Sequence, residues 1–136
     1  MYVKSGSQGV KTDFYVTPSG DAVPATGYRY MNSKYADQTR ESMSAPGSYF
    51  GFAKFDSASA ARDAYQISSA WSDAKLRGEF DTLQVIDGMY VPKANGGKGP
   101  GLEPFTSSYS IYGKGGYQQF KYDGMIRFKG VDIIGD

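Results

Sequence analysis

The 136-residue chain contains no cysteine and no histidine. Without thiols it has no disulfide framework, no thiolate metal site and no cysteine nucleophile. Without imidazole, Ser-His-Asp catalysis, the paired-histidine ribonuclease mechanism and nearly all zinc sites are excluded, so no metal is expected. Any catalysis falls to Arg, Tyr, Ser, Gln, Asp or Glu. An excess of either charge is lacking as well: 15 basic and 14 acidic side chains leave a net charge of +1. The basic residues are scattered along the chain, which argues against nucleic acid as a direct partner. No apolar run approaches the roughly 20 residues that span a bilayer, and the opening "MYVKSG" lacks the apolar middle of a signal peptide. No membrane is expected, and the length is that of one domain.

Aromatic residues and glycine are plentiful. Twelve tyrosines, eight phenylalanines and 18 glycines stand against one tryptophan. That composition favours a β-rich fold with shaped loops, and it suits both an aromatic core and a pocket walled by flat rings.

Residues 1–12 are polar and read as a flexible lead-in to a domain spanning 13–136. Phe14, Tyr15 and Val16 predict a short strand, closed by turn chemistry at 17–21. "GYRYM" (27–31) predicts a strand with Arg29 at its centre, and the polar segment 32–45 a short helix near 34–43. "SYFGF" (48–52) resumes strand character. Asp56 or Ser57 caps an alanine-rich helix running to Ile67. A shorter helix or turn is expected over 71–77, and the best central strand over 80–86. Residues 93–116 form a long loop of the kind usually tied to function or disorder. Strands at about 117–122 and 125–134 finish the chain. Helices in the middle of a β-rich order give an α+β class rather than a βαβ repeat.

Glycine clusters suggest a phosphate loop, and the spacing refutes it. Gly96 and Gly101 are followed by Leu102 and Glu103, where a phosphate loop needs Lys and Ser or Thr. Three other features carry more chemistry. An arginine in an aromatic strand, Arg29, must meet an anion or lie on the wet face. Ser48, Tyr49 and Phe52 set a hydroxyl, rings and a glycine notch within five residues, fit to stack on a flat heterocycle or simply to pack. In "GKGGYQQF", Gln118 and Gln119 alternate, so at most one of them faces a given pocket.

In order, "GYRYM", "GSYFGF" and "GGYQQF" resemble the ADP-ribosyltransferase fold, whose β-rich core splits around an NAD cleft. Over roughly residues 13–134 the chain resembles the C-terminal toxin domains of Rhs-type bacterial polymorphic toxins, some of which modify elongation factor Tu. The glycine pair ahead of Gln119 is also similar to that of bacterial NAD glycohydrolase toxins. The resemblance implies catalytic roles for Arg29 and Gln119, and NAD as substrate held by Arg29, Tyr30, Ser48, Tyr49 and Phe52. It places target recognition in the segment upstream of Gln119, with Phe105 and Tyr109 as contacts. It further implies delivery as the end of a larger secreted protein into the cytoplasm of a rival bacterium, a cognate immunity protein, and elongation factor Tu as the target. The family often has glutamate where this chain has Gln119, so two outcomes stand open: transfer of ADP-ribose to a protein, or hydrolysis of NAD. A histidine-free ribonuclease and a non-catalytic binding module are the remaining alternatives.

Overall fold

The computed structural model describes residues 2–4, 13–18, 20, 22–46, 49–92, 98–99, 113, 117 and 119–136. The first three strands, β1 (Tyr2–Lys4), β2 (Asp13–Val16) and β3 (Ala22–Pro24), form a small antiparallel sheet in that order. Strand β4 (Thr26–Met31) leads through a 3₁₀ turn, Ser33–Tyr35, into helix α1 (Ala36–Ser42). Then come β5 (Ser44–Pro46), β6 (Tyr49–Gly51), helix α2 (Ala58–Tyr65) and β7 (Leu76–Asp81). Two-residue strands β8 (Val91–Pro92) and β9 (Lys98–Gly99) pair with each other. The chain finishes with β10 (Gln119–Lys121), β11 (Met125–Arg127) and β12 (Gly130–Ile133). The class is α+β with a mostly antiparallel sheet and short helices.

A five-stranded sheet in the order β10-β6-β4-β7-β12 organises the molecule. Period-two alternation gives it two apolar faces. Met31, Phe50, Leu76, Phe80 and Phe120 share one face, closed by Ala45 and Ile126 of the β5–β11 ribbon and by Val85 and Phe128. Phe80, Phe120, Leu76 and Ile126 are fully buried there, each worth about 1.5–3 kcal/mol of transfer free energy. The opposite face carries Tyr30, and α2 lies on it through Ala58, Ala61, Ala64 and Tyr65. Alanines at the contact let the helix axis approach closely. Ser57 starts this helix by accepting the Ala60 N–H at 3.2 Å, and Gln66 ends it in the left-handed region at φ 54°.

Arg77 of β7 locks the sheet to its surroundings on the α2 side. Its guanidinium donates to the Phe55 carbonyl at 2.7 Å, to Asp56 at 2.6 Å and to Asp132 at 3.3 Å. Both carboxylates and the carbonyl satisfy a charge that is otherwise expensive to bury.

Four segments differ from what the sequence predicts. The central strand is residues 76–81, not 80–86, because the Asp81 carboxylate accepts the Leu83 N–H at 3.0 Å and turns the chain into a 3₁₀ turn. Val85 and Ile86 are core contacts reached after that turn. Of the helix or turn expected over 71–77, only a turn is present, ending at Trp71, and no helix forms. Instead the Ser68 carbonyl accepts from Trp71 and Ser72, both at 3.0 Å, and Ala74 sits at φ 58° before β7 begins. The segment 125–134 is two strands, since Phe128 N–H donates to Met43 and Lys129 N–H to Glu79, moving the chain from one sheet to another. Residues 2–4 of the expected lead-in pair with β2, Tyr2 opposite Tyr15, filling backbone hydrogen bonds that β2 would otherwise leave open.

Candidate functional site

Strand β4 pairs with β7 along all six residues, from Thr26↔Asp81 to Met31↔Leu76. It pairs with β6 at a single position, Tyr28↔Gly51. Strand β6 in turn pairs with β10 over three residues, Gln119↔Gly51 to Lys121↔Tyr49. Among the described residues, the end of β4 that bears Arg29 therefore has no ladder partner on its β6 side. Paired residues share a face, so Tyr28, Gly51 and Gln119 form one row on the α2 side of the sheet. Arg29, next along β4 and paired with Gly78, falls on the other side.

Two cavities flank this end of the sheet. One, of about 540 Å³, is lined by Arg29, Lys34, Tyr35, Pro46, Trp71 and Ser72 among others. The second, of about 460 Å³, is lined by Tyr49, Tyr65, Gln66, Trp71 and Gln119 among others. Trp71 borders both, and its side chain is 63% exposed.

Arg29 and Arg77 are arginines on adjacent strands with opposite surroundings. Arg77 is held by two carboxylates, and their hydrogen bonds and charge outweigh burial and raise its pKa. Arg29 has no carboxylate partner among the described residues. Its Nε donates to the Pro46 carbonyl at 3.2 Å, and burial alone pulls its pKa down to about 10. It remains protonated at neutral pH, a partly desolvated cation with most of its donors uncommitted among the described residues. Such a group gains from an anion more than a fully solvated one does.

Gln119 faces the second cavity from β10, half-buried, and its amide makes no side-chain hydrogen bond among the described residues. Gly51 opposite it leaves room for Tyr65, since a Cβ at residue 51 would collide with the Tyr65 ring and hydroxyl. The Tyr65 hydroxyl accepts the Ala53 N–H at 3.2 Å, and burial raises its pKa. Tyr49 lies over the Lys121 ammonium at 5.5 Å. At the rim, Gln66 donates from Nε2 to the Gly113 carbonyl at 3.1 Å. A Cβ at residue 113 would stand 2.5 Å from the Asp63 carbonyl oxygen. The first glycine of "GKGGYQQF" thus lets the chain close onto the end of α2, beside the cavity.

Of the expected site residues, Arg29, Tyr49 and Gln119 line cavities that meet at Trp71. Tyr30 does not join them: it is 6% exposed beneath α2, donates to the Ala53 carbonyl at 3.0 Å and accepts from Phe55 N–H at 2.6 Å. Phe52 packs against the Phe50 and Phe120 rings, at 6.0 and 5.4 Å between centroids, and lines neither cavity. Ser48, Phe105 and Tyr109 lie outside the described residues. The acidic residues near the central strand are occupied elsewhere: Asp81 caps its turn and Glu79 pairs with Lys129 at 3.8 Å. Sequence reasoning did not single out Trp71, Tyr65, Lys34 or Tyr35. For Trp71 a signal existed, the single indole set among small polar residues in "SSAWSD".

Comparison with protein families, curated proteins and solved structures gives no significant match for this chain. Among the described residues no helix is long and apolar enough to cross a membrane, and no group of three acidic side chains is placed to hold a metal ion.

Proposed function

We propose that the protein is an antibacterial toxin domain that cleaves NAD and transfers the ADP-ribose to a protein, with elongation factor Tu the leading acceptor. The observation that carries this reading is the pairing of Arg29, a half-buried cation with no described carboxylate partner, with Gln119, an amide with no described hydrogen-bond partner, on two cavities that meet at one side chain. Binding sites expose such uncommitted groups, whereas structural ones satisfy them, as Arg77 is satisfied here.

In this reading the bond broken joins the nicotinamide nitrogen to C1 of its ribose. Nicotinamide leaves as a neutral molecule with the bonding electron pair, and an acceptor oxygen or nitrogen bonds to that carbon and loses its proton to solvent or to the target. Positive charge develops on the ribose as the bond lengthens. Arg29 anchors the phosphates by charge-assisted hydrogen bonds and so fixes the substrate in place. Gln119 hydrogen-bonds the ribose hydroxyls and orients the acceptor. As a neutral amide it positions and does not act as a base. Tyr49 offers a face for the nicotinamide ring. A toxin of this kind also calls for a cognate immunity protein in the cell that makes it.

Among the described residues no carboxylate lines either cavity, and with a neutral amide at Gln119 one alternative stays open, transfer to water, which makes the protein an NAD glycohydrolase. NAD labelled in its adenylate half, incubated with the protein and a bacterial lysate, separates the two. Label on a protein band supports transfer. Free labelled ADP-ribose with no labelled protein supports hydrolysis, and intact NAD removes both.

A further inference from the structure

The two cavities differ in charge and in rings. Among the described residues the lining of the Arg29 cavity includes two cations, Arg29 and Lys34, and no acid. It also includes two large exposed rings, Tyr35 at 50% and Trp71 at 63%. The Lys34 ammonium lies 5.1 Å from the Tyr35 ring centre. Among the described residues the lining of the Gln119 cavity has no Lys, Arg, Asp or Glu.

Trp71 is held where it is by its backbone. Its N–H donates to the Ser68 carbonyl at 3.0 Å, and Ser72 Oγ accepts the Ala74 N–H at 3.1 Å just beyond it. The indole belongs to none of the core clusters, and it makes no ring contact or side-chain hydrogen bond among the described residues. A large apolar ring fixed at a cavity wall without packing partners is a stacking surface.

We infer that Trp71 and Tyr35 stack on the purine base of the substrate while Arg29 and Lys34 take its phosphates, so that the adenylate half fills this cavity and the bond to be cleaved lies past Trp71, beside Gln119. This inference rests on the proposed reaction with NAD. Charge sets the polarity. The nicotinamide ring of NAD is cationic, and the Arg29 guanidinium and Lys34 ammonium repel it from the Arg29 cavity, whereas the described lining beside Gln119 carries no charge to do so. The adenine ring is neutral and is attached to two anionic phosphates, the combination of groups that the Arg29 cavity complements. Trp71 then acts as the divider that fixes which end enters which cavity.

Trp71 is the only tryptophan in the chain, so intrinsic fluorescence reports on this position alone. Titration with ADP should quench it saturably, and added salt should weaken the binding. Nicotinamide mononucleotide should quench it less at equal concentration. In equilibrium dialysis with labelled ADP, Trp71→Ala should bind at least about fivefold more weakly and Trp71→Phe should retain most of the affinity. Lys34→Ala should weaken ADP binding and reduce its salt dependence. Unchanged fluorescence on adding ADP, or equal ADP affinity in Trp71→Ala and wild type, overturns the inference. Assaying NAD cleavage on the same wild-type sample separates the two claims. Cleavage without ADP binding at Trp71 leaves the reaction and removes this site. ADP binding that depends on Trp71, without cleavage, keeps the nucleotide site and removes the reaction.

Discussion

Arg29 and Gln119 point to opposite faces of one five-stranded sheet. Gln119 pairs with Gly51 and Gly51 with Tyr28, so the amide lies on the α2 face, and Arg29, one residue beyond Tyr28, lies on the other. In the proposed reaction the two side chains would act on a substrate that passes the end of the sheet between β4 and β6, with Trp71 at the crossing. They share no partner. Arg29→Ala and Gln119→Ala should each slow NAD turnover by about 10²-fold, near 3 kcal/mol of transition-state stabilisation. Their effects should add in the double variant to within about 0.5 kcal/mol. Steady-state kinetics on the three variants checks this, and near wild-type turnover in either single variant contradicts the assigned role.

Tyr30 tests the boundary between core and site. Its hydroxyl bridges the Ala53 carbonyl and the Phe55 N–H under α2. Tyr30→Phe should cost about 1–2 kcal/mol of stability by leaving those backbone groups unpaired. Turnover per folded molecule should stay at the wild-type level. A urea midpoint paired with a rate at 25 °C reads both, and a loss of rate at unchanged stability would return Tyr30 to the substrate.

Gly51 is where the helix meets the row that holds Gln119. A methyl group there meets Tyr65, which is wedged between Tyr30 and Phe55 with centroids 5.9 Å from each. Gly51→Ala should destabilise the fold by about 1–3 kcal/mol and displace the wall shared with Gln119. Thermal unfolding should show the first effect and a reduced NAD turnover number the second. A neutral substitution would mean that Tyr65 yields without cost.

Asp73 ties the 3₁₀ turn that follows β4 to the residue just ahead of β7. Its carboxylate accepts the Ser33 N–H at 2.9 Å, the Ser33 hydroxyl, and the Lys75 N–H at 3.0 Å. Burial pushes its pKa up, but these hydrogen bonds and the Lys75 charge outweigh it and hold the pKa below the ordinary carboxylate value. A depressed folded pKa adds stability above the unfolded pKa of about 4, and that stability is lost as pH falls through the folded value. Stability measured by urea unfolding at neutral pH and near pH 3 should fall less steeply in Asp73→Asn than in wild type. Asp73→Asn should also be less stable by about 1 kcal/mol at neutral pH. Parallel pH profiles would remove Asp73 from the acid response.

Local chemistry made some of this structure legible in the sequence. Ser57 before an alanine run marks α2, and "GYRYM" marks β4, because cap and alternation are properties of neighbouring residues. The misplaced central strand shows the limit. Apolar residues continue through Val85 and Ile86, and only the Asp81 side chain, bonding two residues ahead, reveals that the strand has ended. In the site, residue type singled out Arg29 and the family resemblance chose Gln119 over Gln118, but neither gave their surroundings. That Arg77 is the satisfied arginine and Arg29 the unsatisfied one depends on Asp132, 55 residues away from Arg77 in the chain. Trp71 borders both cavities through tertiary packing, which no spacing in "SSAWSD" encodes.

The proposed reaction moves ADP-ribose from NAD to a protein. Intact-mass measurement of purified elongation factor Tu after incubation with the protein and NAD tests it directly. The acceptor should gain the mass of one ADP-ribose unit, and the gain should be absent with Arg29→Ala or Gln119→Ala. Elongation factor Tu of unchanged mass while nicotinamide and free ADP-ribose accumulate would contradict it and leave NAD hydrolysis as the activity.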